Sequence, residues 1–391
     1  MSFNLCHPDF LASTIEDLNA NEMELTSAPH NAAAWALKPK TRPLVVSSAP
    51  YKSPPPGFVT IKVHSVAVNP IDWINQDQDV FKAQYPTIFG LDIAGTVEEI
   101  GEGVRLLQVG RRIIAQAGAS SSNDSSRGAF QKYVVVSQNA VAELPKEIAF
   151  ERGVVLPLGI STAAAGLYQK DFLSLPFPSI EGLPGILNHT RTLVVWGGSS
   201  SVGSCAIQMA NASGAEIFTV ASRKNFYYVK SLGATKVFDY HDDDVEDQIV
   251  EALKTKTLAG VYHAAGADGA VQTCARIADR STGKALVVTV KGVPDAGIPC
   301  TVRVKAISSS SIFKGGNQIG PDIWRKYLPS ALARGTLVPK PDPLIVGNGL
   351  RSVQLGLDKQ KAGVSARKVV VNKIDDDSSH ELVELSTFTP S

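Results

Sequence analysis

The chain has 391 residues, 44% of them hydrophobic, and a formal net charge of +1 at pH 7. That length fits two domains with ample core. The near-neutral balance removes the electrostatic case for nucleic acid or an anionic membrane surface, and no apolar run approaches the roughly 18 residues of a membrane-spanning helix. The stretch from Met1 to Asn31 is polar and partly acidic (Glu16, Asp17, Glu22, Glu24). It lacks the basic start and apolar centre of a signal peptide, so a surface tail and a cytoplasmic protein are expected. Cys6, Cys205, Cys274 and Cys300 form no CxxC, and the seven histidines are scattered. A reducing compartment without structural disulfides follows, and no zinc site is expected.

From Ala33 to about Leu144 the chain reads as short strands and turns. Apolar and β-branched runs occur at Leu44 to Val46, Phe58 to Val68, Ile93 to Ile100, Ile113-Ile114 and Phe130 to Val136. Pro54 to Gly57, Gly101 to Gly103 and Gly110 separate them, so this region predicts a small, mostly β domain. Gly118 to Gly128 is serine-rich and reads as a loop. Glu151 to Tyr168 reads as a helix with a small-residue core at Ala163, Ala164 and Ala165. Asp171 to Thr190, rich in Pro and Gly, reads as a long irregular insertion, either a lid or a plain surface excursion.

The next stretch, Thr192 to Gly203, is the most informative. An apolar run, Leu193 to Trp196, ends in Gly197-Gly198. Ser199, Ser200 and Ser201 follow, and then Val202, Cys205, Ala206, Met209 and Ala210 recur at helical spacing. A buried strand thus turns through small residues into a helix, where backbone N–H groups can approach a pyrophosphate. A turn kept small only for packing is the alternative. The strand–helix rhythm continues through Ile217 to Ala221, Tyr228 to Leu232, Lys236 to Phe238, Val245 to Leu253, Gly260 to His263, Val271 to Ala278 and Ala285 to Val290. It predicts a parallel sheet with helices on both faces. A helix over Asp322 to Arg334 and a strand over Lys368 to Val371 close the pattern.

Sites that prefer NAD place an acid about 20 residues past the glycine loop, to hold the ribose 2′-hydroxyl. Here the second strand ends Ser222-Arg223-Lys224-Asn225. A hydroxyl, two cations and an amide suit a 2′-phosphate, so NADPH is the expected cofactor. A solvated helix start at Arg223 and Lys224 is the alternative.

Several motifs stand in a familiar order. They are Asn69-Pro70-Ile71-Asp72-Trp73, Gly90-Leu91-Asp92-Ile93-Ala94-Gly95, Gly128-Ala129-Phe130, Leu156 to Ala164, Gly197 to Gly203 and Leu232-Gly233-Ala234. On these the chain, from Ala33 to Asn372, resembles the zinc-independent, quinone-oxidoreductase-like medium-chain dehydrogenases/reductases. Within them it resembles fungal CipB-like oxidoreductases and, more distantly, trans-acting enoyl reductases. The resemblance implies an α/β fold in which a GroES-like β domain (32–165 and 326–391) joins a Rossmann doubly wound domain (166–325), after a tail over 1–31.

The resemblance also implies site residues. Gly198, Ser200, Ser201 and Val202 would meet the pyrophosphate. Ser222, Lys224 and Asn225 would hold the 2′-phosphate, with Tyr240 beside them. Gly266 and Val288 would line the cofactor path, with Thr162 near the nicotinamide amide and Phe313 near its face. Asn69 would shape the catalytic pocket, or serve only as a turn residue. Asp72 reads as a helix cap. Where zinc-dependent relatives carry a Cys and a His, this chain has Asn69 and Leu91, and Leu cannot ligate a metal. Where many relatives carry a Lys and a Tyr, it has Ile74 and Phe81. Tyr85, close by, is the candidate proton donor, with solvent the alternative.

The implied function is hydride transfer from NADPH to an activated C=C of an enone, enoyl thioester or quinone, possibly for a polyketide-synthase partner in fungal secondary metabolism. A carbonyl or quinone reductase and a non-catalytic dinucleotide sensor are the competing readings. Monomer and homodimer both remain open.

Overall fold

A computed structural model describes residues 29–118, 124–180 and 191–376. The expected N-terminal tail, most of it, lies outside the described residues. So do 119–123 of the serine-rich loop, 181–190 of the irregular insertion and the end of the second domain from 377 on.

Six strands form an all-parallel sheet in the order Lys236–Phe238, Glu216–Val220, Thr192–Trp196, Leu258–His263, Leu286–Thr289, Arg303–Ala306. Counted along the chain this order is 3-2-1-4-5-6, the doubly wound arrangement. A crevice opens beyond the carboxyl ends of the first and fourth strands, where the winding reverses. Leu193, Val194 and Val195 are all fully buried, as are Ile217 and Phe218. Helices cover both faces, so these strands read as continuous apolar runs rather than alternating ones.

A second, seven-stranded sheet is built from both ends of the chain. Its order is Asp342–Asn348, Arg367–Asn372, Phe58–Ala67, Asp92–Ile100, Arg112–Gln116, Val141–Glu143, with Tyr133–Ser137 also paired to Phe58–Ala67. A three-stranded sheet joins Val45–Ala49, Asn31–Ala36 and Thr87–Ile88. The strands Asn31–Ala36, Thr87–Ile88 and Asp342–Asn348, and the helices Pro70–Gln78 and Val353–Lys361, were not legible in the hydrophobic pattern. The expected single helix over Glu151 to Tyr168 is two, Phe150–Gly153 and Pro157–Tyr168. Pro157 has no N–H to continue the first, and its fixed φ starts the second at the first helical position. The last helix begins earlier than expected, at Ile319. It passes through a π-helical turn, Ile323–Tyr327, into Leu328–Arg334. In that turn the buried Trp324 donates from Nε1 to Ser161 Oγ at 2.9 Å.

One buried polar cluster ties the seven-stranded sheet to the central helix Pro157–Tyr168. Lys368 Nζ lies 2.9 Å from Asp92 Oδ2, with the side chains only 4% and 0% exposed. Lys368 also donates to Asn69 Oδ1, and Asn69 Nδ2 donates to Asp92 Oδ2 at 2.9 Å. The second Asp92 oxygen accepts from Leu158 N at 2.7 Å, one of the N–H groups that a helix start leaves without an internal partner. Asn69 N donates to Asp72 Oδ2 at 2.7 Å and so begins the helix Pro70–Gln78. Burial pushes the Asp72 carboxyl up to about 7, with Asp92 adding to the rise and the Asn69 N–H and Lys368 opposing it.

Two stability measurements follow. Lys368→Met leaves Asp92 charged, buried and uncompensated, and should lower urea-unfolding stability by about 3–5 kcal/mol. A loss no larger than the roughly 1 kcal/mol of an exposed pair would show that the cluster carries little weight. For Asp72 the folded protein holds the proton more tightly than the unfolded chain. Its contribution is therefore present at acid pH and is lost as pH rises from the usual carboxylate range to about 7. Asp72→Asn, which still accepts from Asn69 N, should gain Tm relative to the parent between pH 5 and pH 8; parallel Tm curves would contradict the assigned burial.

Candidate functional site

The crevice of the parallel sheet is a cleft of about 900 Å³. It forms because the first strand ends at Trp196 and the chain turns back sharply. Gly197 takes φ +80°, in the left-handed region that favours glycine. Gly197 N and Gly198 N both donate to Val220 O at 3.0 Å, pinning the turn against the second strand. Ser200 caps the helix Ser201–Ala212, its Oγ accepting from Gly203 N at 3.1 Å. A Cβ on Gly203 would lie 2.3 Å from Gly197 O, so only glycine lets the helix start this close to the strand end. Ser201 Oγ is buried without a hydrogen-bond partner among the described residues.

At the end of the second strand, Asn225 Nδ2 stands at the centre of a hydroxyl cluster. It lies 3.1 Å from Ser222 Oγ, 3.3 Å from Ser199 Oγ and 3.2 Å from Ser365 Oγ. All four residues line the cleft. Ser365 comes from the C-terminal segment, more than a hundred residues away, so sequence proximity gave no sign of it. Asp239 is close but turned aside. Its carboxylate accepts from His241 N at 3.1 Å, pairs with His241 Nδ1 at 2.7 Å, and accepts from Arg223 N at 3.2 Å.

The structure brings Ser200, Ser222, Asn225, Tyr240 and Gly266 together on the cleft wall. Gly198 and Ser201 do not line it, and the Ser201 hydroxyl is buried toward Gly159 of the central helix. A Cβ on Gly198 would fall 2.0 Å from Thr219 Oγ1, so this glycine serves close packing. Other expected residues stand elsewhere. Lys224 is exposed and is not among the lining residues, while Arg223 lies 3.5 Å from both Asp239 and Asp242. The two expected cations therefore do not both face the cleft, and Asp242 and Asp243 line part of it. Val288 is fully buried within its strand, and Val202 packs against the core. Phe313 packs against the cores of both sheets and lines a different cavity. Thr162 Oγ1 donates to Leu158 O within its own helix at 2.6 Å.

At the buried polar cluster, Asn69 is held at both ends of its amide by Lys368 and Asp92. Leu91 is buried. Among the described residues, no group of three or more His, Cys, Asp or Glu could hold a metal ion. Leu91, Asp72 and Phe81 share a small cavity that Tyr85 does not line. The Tyr85 hydroxyl donates to Asp79 Oδ1 at 2.7 Å; burial and that carboxylate raise its pKa well above the usual phenol value. One residue with no sequence signal is His263, on the fourth strand. Its Nδ1 bonds Thr289 Oγ1 at 2.9 Å, its Nε2 is buried without a partner, and burial lowers its pKa to about 4, so it stays neutral near pH 7.

Comparison with known proteins agrees with this architecture. Residues 55–146 match the alcohol dehydrogenase GroES-like domain, and residues 201–330 match the zinc-binding dehydrogenase domain. The zinc-binding alcohol dehydrogenase domain-containing protein cipB of Emericella nidulans is 39% identical, over 88% of this chain and 98% of its own length. The trans-enoyl reductase himH of Aspergillus japonicus is 39% identical, over 87% of this chain and 97% of its own. Among solved structures, an alcohol dehydrogenase superfamily protein from Novosphingobium aromaticivorans shares the fold with a TM-score of 0.71 at 23% identity, covering 88% of this chain and 99% of that one. The chain belongs to the medium-chain dehydrogenase/reductase family, oxidoreductases with a GroES-like domain and a Rossmann domain that binds a nicotinamide dinucleotide.

Proposed function

We propose that this chain is an NADPH-dependent, zinc-independent reductase of an activated C=C, in an enone, an enoyl thioester or a quinone, working in fungal secondary metabolism with a polyketide synthase as the implied partner. The observation that carries the reading is the state of Asn69. Both ends of its amide are occupied, the cation beside it is already the Lys368 ammonium, and Leu91 offers no donor. These residues do not fit a catalytic zinc, so no step is routed through one. Without a Lewis acid, the easier acceptor is one whose developing negative charge spreads by conjugation. Relatives named trans-enoyl reductases, himH among them, support the same acceptor class.

The cleft fits a dinucleotide. The start of the helix Ser201–Ala212 presents N–H groups, and its capping residue Ser200 lines the cleft. Ser222, Asn225, Ser199 and Ser365 offer hydroxyls and an amide where a carboxylate would repel a 2′-phosphate, which supports NADPH over NADH. When bound, the nicotinamide supplies the hydride. This chain's residues bind, orient and exclude water. Tyr85 donates its proton to Asp79 and is held as a phenol, so solvent is the better proton source for the α-carbon.

The reading is tested by following NADPH and NADH oxidation against enones, enoyl thioesters, quinones and aldehydes, with products identified by mass spectrometry. Saturated product formed with NADPH preferred supports it; reduction of carbonyls alone, or cofactor binding with no turnover, overturns it. Ser222→Asp places a carboxylate in the hydroxyl cluster and should shift the NADPH/NADH ratio of kcat/KM toward NADH by at least about tenfold, the equivalent of ~1.4 kcal/mol. An unchanged ratio would move the 2′-phosphate away from this cluster.

A further inference from the structure

The helix Ala270–Asp279 follows the fourth strand of the parallel sheet. Val271, Cys274, Ala275 and Ala278 recur at helical spacing and are buried against the sheet. The residues between them, Gln272, Thr273 and Arg276, line the 900 Å³ cleft instead. Two of these three are already engaged. Thr273 Oγ1 donates to Gly269 O at 3.3 Å, and Arg276 Nε lies 2.8 Å from Glu246 Oε2.

Gln272 is different. Its stem rests on the loop after the fifth strand, where a Cβ on Gly297 would come within 3.1 Å of Gln272 Cγ. Gly297 takes φ +80°, so glycine both makes the turn and leaves room for the side chain. Held this way, Gln272 Oε1 is buried with no hydrogen-bond partner among the described residues. A buried acceptor left unfilled is costly, and a ligand N–H relieves it. Asp243 also lines the cleft, but it is exposed and its oxygens are hydrated, so it gains less from a new donor.

A nicotinamide dinucleotide carries amino hydrogens at two places, the carboxamide and the 6-amino group of adenine. Connectivity selects the second. Adenine and the 2′-phosphate are borne by adjacent carbons of one ribose, so a phosphate at Ser222 and Asn225 leaves the base in this same cleft. The nicotinamide is removed from it by a pyrophosphate and another ribose. Tyr240, half exposed on the cleft wall, offers a flat face to a purine. A glutamine amide pairs an acceptor with a donor, the pattern that matches the adenine 6-amino group and the ring nitrogen beside it.

We infer that Gln272 reads the base of the dinucleotide, its Oε1 accepting from the 6-amino group of adenine. The inference rests on the cofactor reading and names the residue that sets base specificity within it.

Calorimetric titration of the full chain tests it without turnover. The probes are NADPH and its purine analogue, in which hydrogen replaces the 6-amino group and every ring nitrogen is kept. The parent should bind NADPH about tenfold tighter. Gln272→Leu should lose that preference, while Gln272→Glu, which still accepts, should keep it; Tm confirms that each variant is folded. Equal binding of the two probes by the parent, or a preference that survives Gln272→Leu, overturns the assignment. Loss of the preference in both variants assigns the side chain to packing alone and overturns it as well. NADH and its own purine analogue, titrated alongside, separate the base from the phosphate. NADH bound as tightly as NADPH, with the base preference intact in both pairs, removes the 2′-phosphate reading and keeps Gln272. NADPH preferred over NADH with no base preference does the reverse, and no binding of any of the four overturns both.

Discussion

A lysine and an aspartate, both out of water, organise this molecule. Lys368 and Asp92 sit on strands that are not neighbours in the seven-stranded sheet, with Phe58–Ala67 between them. Their contact reaches the start of the central helix through Leu158 N. Taking two charges out of water costs more than their attraction returns unless every remaining lone pair and proton finds a partner. Asn69 and Leu158 N are what complete the set. Four separate stretches of chain are thereby committed to one geometry: the Asn69 turn, the Asp92 strand, the Pro157 helix and the C-terminal strand. The same commitment leaves the Asn69 amide nothing with which to hold a metal.

The cleft of the parallel sheet is positioned by a different constraint. A parallel sheet wound both ways leaves a gap where the direction reverses, and in this sheet Trp196 and Gly197 line that gap. Tight packing of Gly203 on Gly197 sets the helix against the strand. The hydroxyl cluster at Asn225 then draws Ser365 across from the C-terminal segment. The C-terminal segment thus enters the cleft wall beside the parallel sheet.

Much of this was legible in sequence, for reasons that can be named. Strand–helix alternation from Thr192 onward gives the doubly wound sheet, because buried parallel strands are apolar on both faces and the helices between them keep a 3.6-residue period. Ser200, Ser222, Asn225, Tyr240 and Gly266 lie close behind strand ends, where topology alone brings them together. Lys368 was hidden because its strand is buried continuously from Lys368 to Val371, so the lysine broke no alternation that could have flagged it. Lys224 is exposed and does not line the cleft, because proximity in sequence to Ser222 does not fix where a long, solvated side chain points.

The Asn69 and Tyr85 positions together bear on how a reduction here must be arranged. A metal-polarised carbonyl needs open ligands, and Asn69 has none to spare. A phenol that gives up its proton needs a falling pKa, and Tyr85 is held the other way by burial and Asp79. What the chain offers instead is placement: the start of the helix Ser201–Ala212 and the hydroxyl cluster around Asn225 on one cleft wall. Such a site gains rate chiefly by holding two reactants in attack geometry, a contribution of about 7–11 kcal/mol in well-oriented systems. It succeeds on an acceptor that is already electrophilic and whose proton water can supply. On the proposed reading, that acceptor is a conjugated thioester or enone rather than an unactivated alcohol.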